Sequence, residues 1–172
     1  MPSQPSRIPV SGVWYRHVAA GRDPLGLPPA GARGRWQRTG VIGALYLADS
    51  DGTAWAEFYR ALAEQGIPPD RLMPRDLWSY RVELDGVADL STRPALEQLG
   101  LPEIEPDARQ WPAFQAVGEE LAQRGAAGVL WRSAARPDHL ALCVLAPALA
   151  ALTPLAGERV DAPPPPPRGM RT

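Results

Sequence analysis

Arg35, Tyr46 and Glu57 fall at equal steps of eleven residues, within Gly34-Arg35-Trp36, Ala44-Leu45-Tyr46-Leu47-Ala48 and Ala54-Trp55-Ala56-Glu57. A guanidinium is a planar fork that holds phosphate oxygens two at a time, and Gly34 before it lets a backbone approach a ligand closely. A tyrosine ring offers a flat apolar wall with a polar end. A fixed carboxylate stabilises positive charge that develops in a transition state. Each residue also has a plain reading: Arg35 as a surface arginine lying over an aromatic, Tyr46 as an ordinary strand aromatic, and Glu57 as a solvated glutamate paired with Arg60 at i+3. Helical periodicity by itself favours the plain reading of Glu57, which lies opposite the apolar stripe Trp55, Phe58, Tyr59 and Leu62. Its place in the first turns of a helix that follows the Tyr46 strand, beside Ala54 and Ala61, favours the chemical one.

The elements that must position these residues are legible in outline. Val13 to Arg16, Gly34 to Arg38 and Gly43 to Ala48 read as strands, with a turn near Thr39-Gly40. Asp49, Ser50 and Asp51 offer caps for a helix over 53–65, which Gly66 and the prolines after it stop. Leu77 to Leu84 alternates as a strand, 93–99 and 112–124 read as helices, and 127–132 and 140–146 as two further strands. Glu119 and Glu120 fall on a solvated helix face in this reading. Residues 1–12 form a proline-punctuated flexible arm, 13–160 the domain, and 161–172 a disordered tail carrying five consecutive prolines. Strands and helices mix without a regular βαβ alternation, so the expected fold is α+β, a single domain of mixed sheets with flanking helices.

Composition sets the bounds. A chain of 172 residues supports one domain with a sizeable core. A net charge of −1 argues against a general nucleic-acid binder. No apolar run is long enough to span a bilayer, and the first residues lack the blocks of a signal peptide, so a cytoplasmic location is expected. The single cysteine, Cys143, lies in an apolar run and reads as a small buried hydrophobe, and with only two histidines a zinc site is not expected.

The ordered set of motifs, completed far downstream by Leu130-Trp131-Arg132-Ser133-Ala134, resembles the RES domain, named for its Arg, Glu and Ser. RES domains are the toxins of bacterial RES–Xre toxin–antitoxin pairs; they are similar to ADP-ribosyltransferases and consume NAD. The resemblance implies an ADP-ribosyltransferase-like fold. It implies that Arg16 and Arg35 bind the phosphates of NAD, that Tyr46 meets the nicotinamide end, that Glu57 is the catalytic carboxylate, and that Ser133 is a hydrogen-bonding pocket residue. No His–Asp pair stands at a spacing that would activate Ser133 as a nucleophile. Arg132 and Arg136 flank it and add positive potential in this reading. The chain carries Arg33 and Gln37 where many members have glycine and asparagine. The ADP-ribosyl group would pass to water, to phosphate or to a target protein, and the partner would be an Xre-type antitoxin, with no metal and no direct contact to nucleic acid or membrane. The rival reading is a catalytically weak regulatory module that acts through its antitoxin complex.

Overall fold

The computed structural model describes residues 4–27, 33–38 and 40–171. Strand β1 (Arg7–Ala19) pairs antiparallel along its length with β3 (Arg75–Leu90), from Arg7↔Ala88 to Ala19↔Arg75. β2 (Ala44–Ala48) pairs antiparallel with β5 (Leu140–Leu145), β5 with β4 (Gly128–Arg132), and β4 runs parallel to the end of β3. Tyr15 of β1 also pairs with Ala48 of β2, so β1, β2, β5, β4 and β3 close on themselves. β6 (Leu152–Val160) adds to β3 as an antiparallel edge. The fold is a single α+β domain.

Strand alternation sorts the core into two clusters. Leu45 and Leu47 of β2, Leu142 and Val144 of β5 and Leu130 of β4 pack with Trp14, Tyr80 and Val82. On the opposite face, Cys143, Leu145, Val129 and Trp131 pack with Trp36, Leu96 and Phe114. Leu96 comes from helix α2 (Arg93–Gln98) and Phe114 from helix α3 (Trp111–Gln123). Cys143 is fully buried there, and desolvation pushes its thiol up to about 12. Helix α1 (Asp51–Gln65) is capped by Ser50, whose side chain accepts the Thr53 amide, and ends at Gly66 in the left-handed region (φ 64°). Its stripe of Trp55, Phe58, Tyr59 and Leu62 forms a third cluster with Met73, Val160 and Met170.

Four expectations are corrected. The expected arm is mostly strand: β1 starts at Arg7, and Pro9 falls at the register shift between Ile8 and Val10, where a missing N–H costs no ladder bond. Gly34 to Arg38 is no strand but a tight turn closed by a single bridge, Gly34↔Gln37. β6 was not expected, because Pro154, Ala156 and Gly157 weaken a strand pattern; an edge position tolerates them. The tail is not disordered: the Tyr59 hydroxyl donates to the Pro164 carbonyl, Met170 packs on the α1 stripe, and the Arg171 amide donates to Ala135 O at 2.7 Å. No helix among the described residues is long and apolar enough to cross a membrane.

Candidate active site

A cavity of about 310 Å3 opens where the end of β1, β2, α1 and the Gly34–Gln37 turn converge. The turn is the piece that local sequence rules could not supply. The Gly34 amide donates to the Gln37 carbonyl at 3.2 Å and to its side-chain oxygen at 2.5 Å. The Gln115 amide of α3 donates to Gly34 O at 2.9 Å, and the Trp36 amide donates to the Tyr46 hydroxyl at 3.0 Å. A Cβ at Gly34 would fall on the Tyr46 hydroxyl, and one at Gly118 of α3 on the Trp36 carbonyl. Both glycines are there because the turn is pressed between β2 and α3. Arg38, just beyond it, clamps the buried Glu119 with two bonds of 2.6 and 2.5 Å and holds its carboxyl below the usual range. Glu119 therefore does not lie on a solvated face as expected; Glu120 is half-exposed and pairs with Arg124.

The turn aims Arg35 into the cavity wall, where it is 5% exposed. Its guanidinium donates to Glu105 O at 2.8 Å, lies 3.4 Å from Gln110 Oε1, and stands 5.1 Å over the Phe114 ring. Desolvation, with the repulsion of Arg60 behind it, lowers its pKa to about 10, so it is cationic at neutral pH. Its direct acceptors are a carbonyl and an amide oxygen, both neutral, while the Glu57 and Glu64 charges act on it through space. The Tyr46 ring lines the same wall, edge-on to Trp131 at 5.9 Å. Its buried hydroxyl, held well above its ordinary pKa by desolvation, is committed to the turn rather than facing a ligand.

Glu57 faces the cavity, on the flank of α1 away from the aromatic stripe. Its Oε1 accepts the Ser133 hydroxyl at 2.6 Å and lies 3.4 Å from the Ala135 amide, while its Oε2 accepts Arg60 Nε at 2.9 Å. The Arg136 amide donates to Ser133 Oγ at 3.0 Å, so the serine proton is directed at the carboxylate. Ser133 is 1% exposed and does not line the cavity. It touches the site through Glu57. Arg132 is exposed and turned toward Ser91 O, and Arg136 toward Thr53 Oγ1; they flank Ser133 without lining the cavity.

Arg16 borders the cavity from within β1, with Nη1 3.3 Å from Pro24 O. Its neighbour His17 also borders it and was not foreseen. His17 stacks on Trp55 at 4.6 Å, accepts Arg75 Nε on Nδ1 at 2.7 Å, and therefore donates from Nε2 to Ala54 O at 3.2 Å. Desolvation, then the Arg75 charge, lowers its pKa to about 3, so it is neutral at physiological pH. Arg33, whose guanidinium lies 5.6 Å over the Trp111 ring, completes the mouth. The i+3 spacing of Glu57 and Arg60 was visible in the sequence; the stacking of His17 on Trp55, thirty-eight positions apart, had no local signal. Among the described residues, no group of three His, Cys, Asp or Glu could hold a metal ion.

The RES domain profile matches residues 5–163. This chain belongs to the RES-domain family. As a RES domain it is 32% identical over 158 residues to a probable NAD(+) phosphorylase of Mycobacterium tuberculosis strain H37Rv, covering 90% of this chain and 73% of that protein. It is 31% identical over 109 residues to the NAD(+) phosphorylase MbcT of Mycobacterium bovis, covering 60% of this chain and 58% of that protein. The crystal structure of the M. tuberculosis MbcT–MbcA toxin–antitoxin complex superposes on this RES domain with a TM-score of 0.79 at 27% identity, over 90% of this chain and 87% of that one. The tail from Pro164 onward lies beyond the matched region.

Proposed function

We propose that this RES domain is the toxin of a toxin–antitoxin pair and cleaves the nicotinamide–ribose bond of NAD, passing ADP-ribose to inorganic phosphate. The observation that carries the reading is the Glu57 carboxylate, held by Ser133, Ala135 and Arg60 at the wall of a cavity that also presents Arg16 and Arg35. The cavity is at the small end of ligand pockets, about 300–1,000 Å3. It suits the nicotinamide riboside end of NAD, with the pyrophosphate lying along the arginines. Arg35 binds that pyrophosphate as a fork, aided by Arg16. The Tyr46 ring is the flat wall for the nicotinamide end. As the glycosidic bond breaks, its electron pair returns to the pyridinium ring and positive charge develops on the ribose; Glu57 stabilises that charge. Ser133 is a positioning residue for Glu57 in this scheme and makes no contact with NAD.

The choice of phosphate over water or a protein side chain as acceptor is supported by the names of the relatives, which are NAD(+) phosphorylases. The partner is an antitoxin, as in the MbcT–MbcA complex, and of Xre type as the family resemblance implies; the site of action is the cytoplasmic NAD pool. The test is incubation of purified protein with NAD, with and without phosphate, following nicotinamide and the mass of the sugar product. ADP-ribose 1″-phosphate formed only with phosphate supports the reading; label transferred only to protein overturns the acceptor.

A further inference from the structure

A phosphorylase must hold two anions, the pyrophosphate of NAD and the attacking phosphate. The second has to reach the ribose carbon that Glu57 stabilises, against the repulsion of that same carboxylate. A cation at Glu57 itself is therefore required. Resting on the phosphorolytic reading above, we propose that Arg60 is the binding residue for the acceptor phosphate.

Arg60 is the cavity-lining cation bonded to Glu57, with Nε donating to Oε2 at 2.9 Å. Its Nη1 donates to Glu64 Oε2 at 3.0 Å, and Glu64 in turn accepts the Ala108 amide at 3.0 Å, so the side chain is anchored by carboxylates at both Nε and Nη1. Nη2 has no hydrogen-bond partner among the described residues, although the side chain is only 9% exposed. The guanidinium thus keeps Nη2 free beside the reacting carboxylate while its two ion pairs fix where that nitrogen points. Arg35 and Arg60 both line the cavity, and the Arg60 charge acts on Arg35, so an anion between them meets two cations. The nearer phosphorus of NAD lies five bonds from the anomeric carbon; with Arg16 and Arg35 holding the pyrophosphate in the reading above, Arg60, bonded to Glu57, is left for the acceptor. In the step, a phosphate oxygen forms the bond to the anomeric carbon as the carbon–nitrogen bond breaks. Neutral nicotinamide leaves with that electron pair, and the phosphate keeps or releases its own proton to solvent, so no further reactant is needed.

The experiment is the product partition. Wild type, Arg60→Gln and Arg60→Lys are incubated with saturating NAD across a phosphate series, and ADP-ribose 1″-phosphate and ADP-ribose are measured together. Arg60→Gln should lower both products, because Glu57 loses one of its holders. Losing a hydrogen bond between charged groups should also raise the phosphate KM by about tenfold or more, so the ADP-ribose 1″-phosphate share at a given phosphate concentration falls and the ADP-ribose share rises. Arg60→Lys, which keeps a point charge on the same helix, should fall between. If Arg60 merely orients Glu57, both products fall in parallel and the partition is unchanged, which overturns the proposal. A wild type that yields ADP-ribose alone at every phosphate concentration overturns instead the phosphorolytic reading on which it rests.

Discussion

The Ser133 hydroxyl donates to Glu57 Oε1 across 2.6 Å, linking the end of β4 to the flank of α1. The Arg136 amide occupies one lone pair of the serine oxygen, so the hydroxyl proton turns away from it and toward the carboxylate. Ser133→Ala should therefore lower kcat rather than raise KM. A hydrogen bond to a charged group contributes about 1.5–3 kcal/mol, so the loss should be about tenfold to a hundredfold. Steady-state kinetics decides: a raised KM for NAD with kcat intact would mean that Ser133 touches the substrate.

Arg35→Lys should weaken NAD binding although the charge is kept. An ammonium cannot hold Glu105 O and a phosphate from one plane, nor stack on Phe114. Calorimetric titration of NAD in a Glu57→Gln background should show a Kd raised about tenfold; an unchanged Kd would remove Arg35 from the binding site.

Truncation after Pro163 should destabilise the domain. It removes the Tyr59–Pro164 bond, the Met170 contact with the α1 stripe, and Arg171, whose amide donates to Ala135 O at 2.7 Å and whose guanidinium donates to the Glu105 carboxylate at 2.5 Å. Glu105 also carries the carbonyl that holds Arg35, so the loss should reach the site. Fully burying a methionine contributes about 1.5–3 kcal/mol and the half-buried Met170 somewhat less; each kcal/mol is about 2–4 °C in Tm for a domain of this size. Thermal melts of the full and truncated chains should differ by several degrees; identical melts would mean the tail contributes nothing.

His17 makes stability depend on pH. Its folded pKa of about 3 lies below its ordinary value of 6.5, so between these values the unfolded chain binds a proton that the folded one does not. Stability is then complete above about pH 6.5 and is lost as pH falls toward 3, by about 1.4 kcal/mol per pH unit at most. Arg75 and Arg16, the charges facing the ring, push in the same direction. Asp76 and Glu119, also held low, add their own loss only near the acidic end. Between pH 6.5 and 4.5 His17→Gln, which keeps an acceptor for Arg75, should show a flatter denaturant-midpoint profile than wild type. Equal slopes would contradict the assignment.

What the sequence yields and what it hides divide along local and non-local lines. The α1 helix was readable from Ser50 to Gly66, because cap, stripe and stop are all local. β2, β4 and β5 were readable from short apolar runs. The Gly34–Gln37 turn has the local look of a strand, because its geometry is imposed by Tyr46 and Gln115 from distant elements. Glu57 shows the same division: periodicity placed it on a solvated flank, and only the closure of β4 against α1 turns that flank into a cavity wall. His17 and the ordered tail depend on contacts that no window of sequence contains.

The most direct measurement is the rate of nicotinamide release by wild type and Glu57→Gln, at equal concentration and with matched thermal melts. Glutamine keeps the shape and removes the charge that faces the developing cation, so the rate should fall by about a hundredfold or more. Equal rates from the two proteins would contradict the assignment of Glu57 as the group that carries the chemistry.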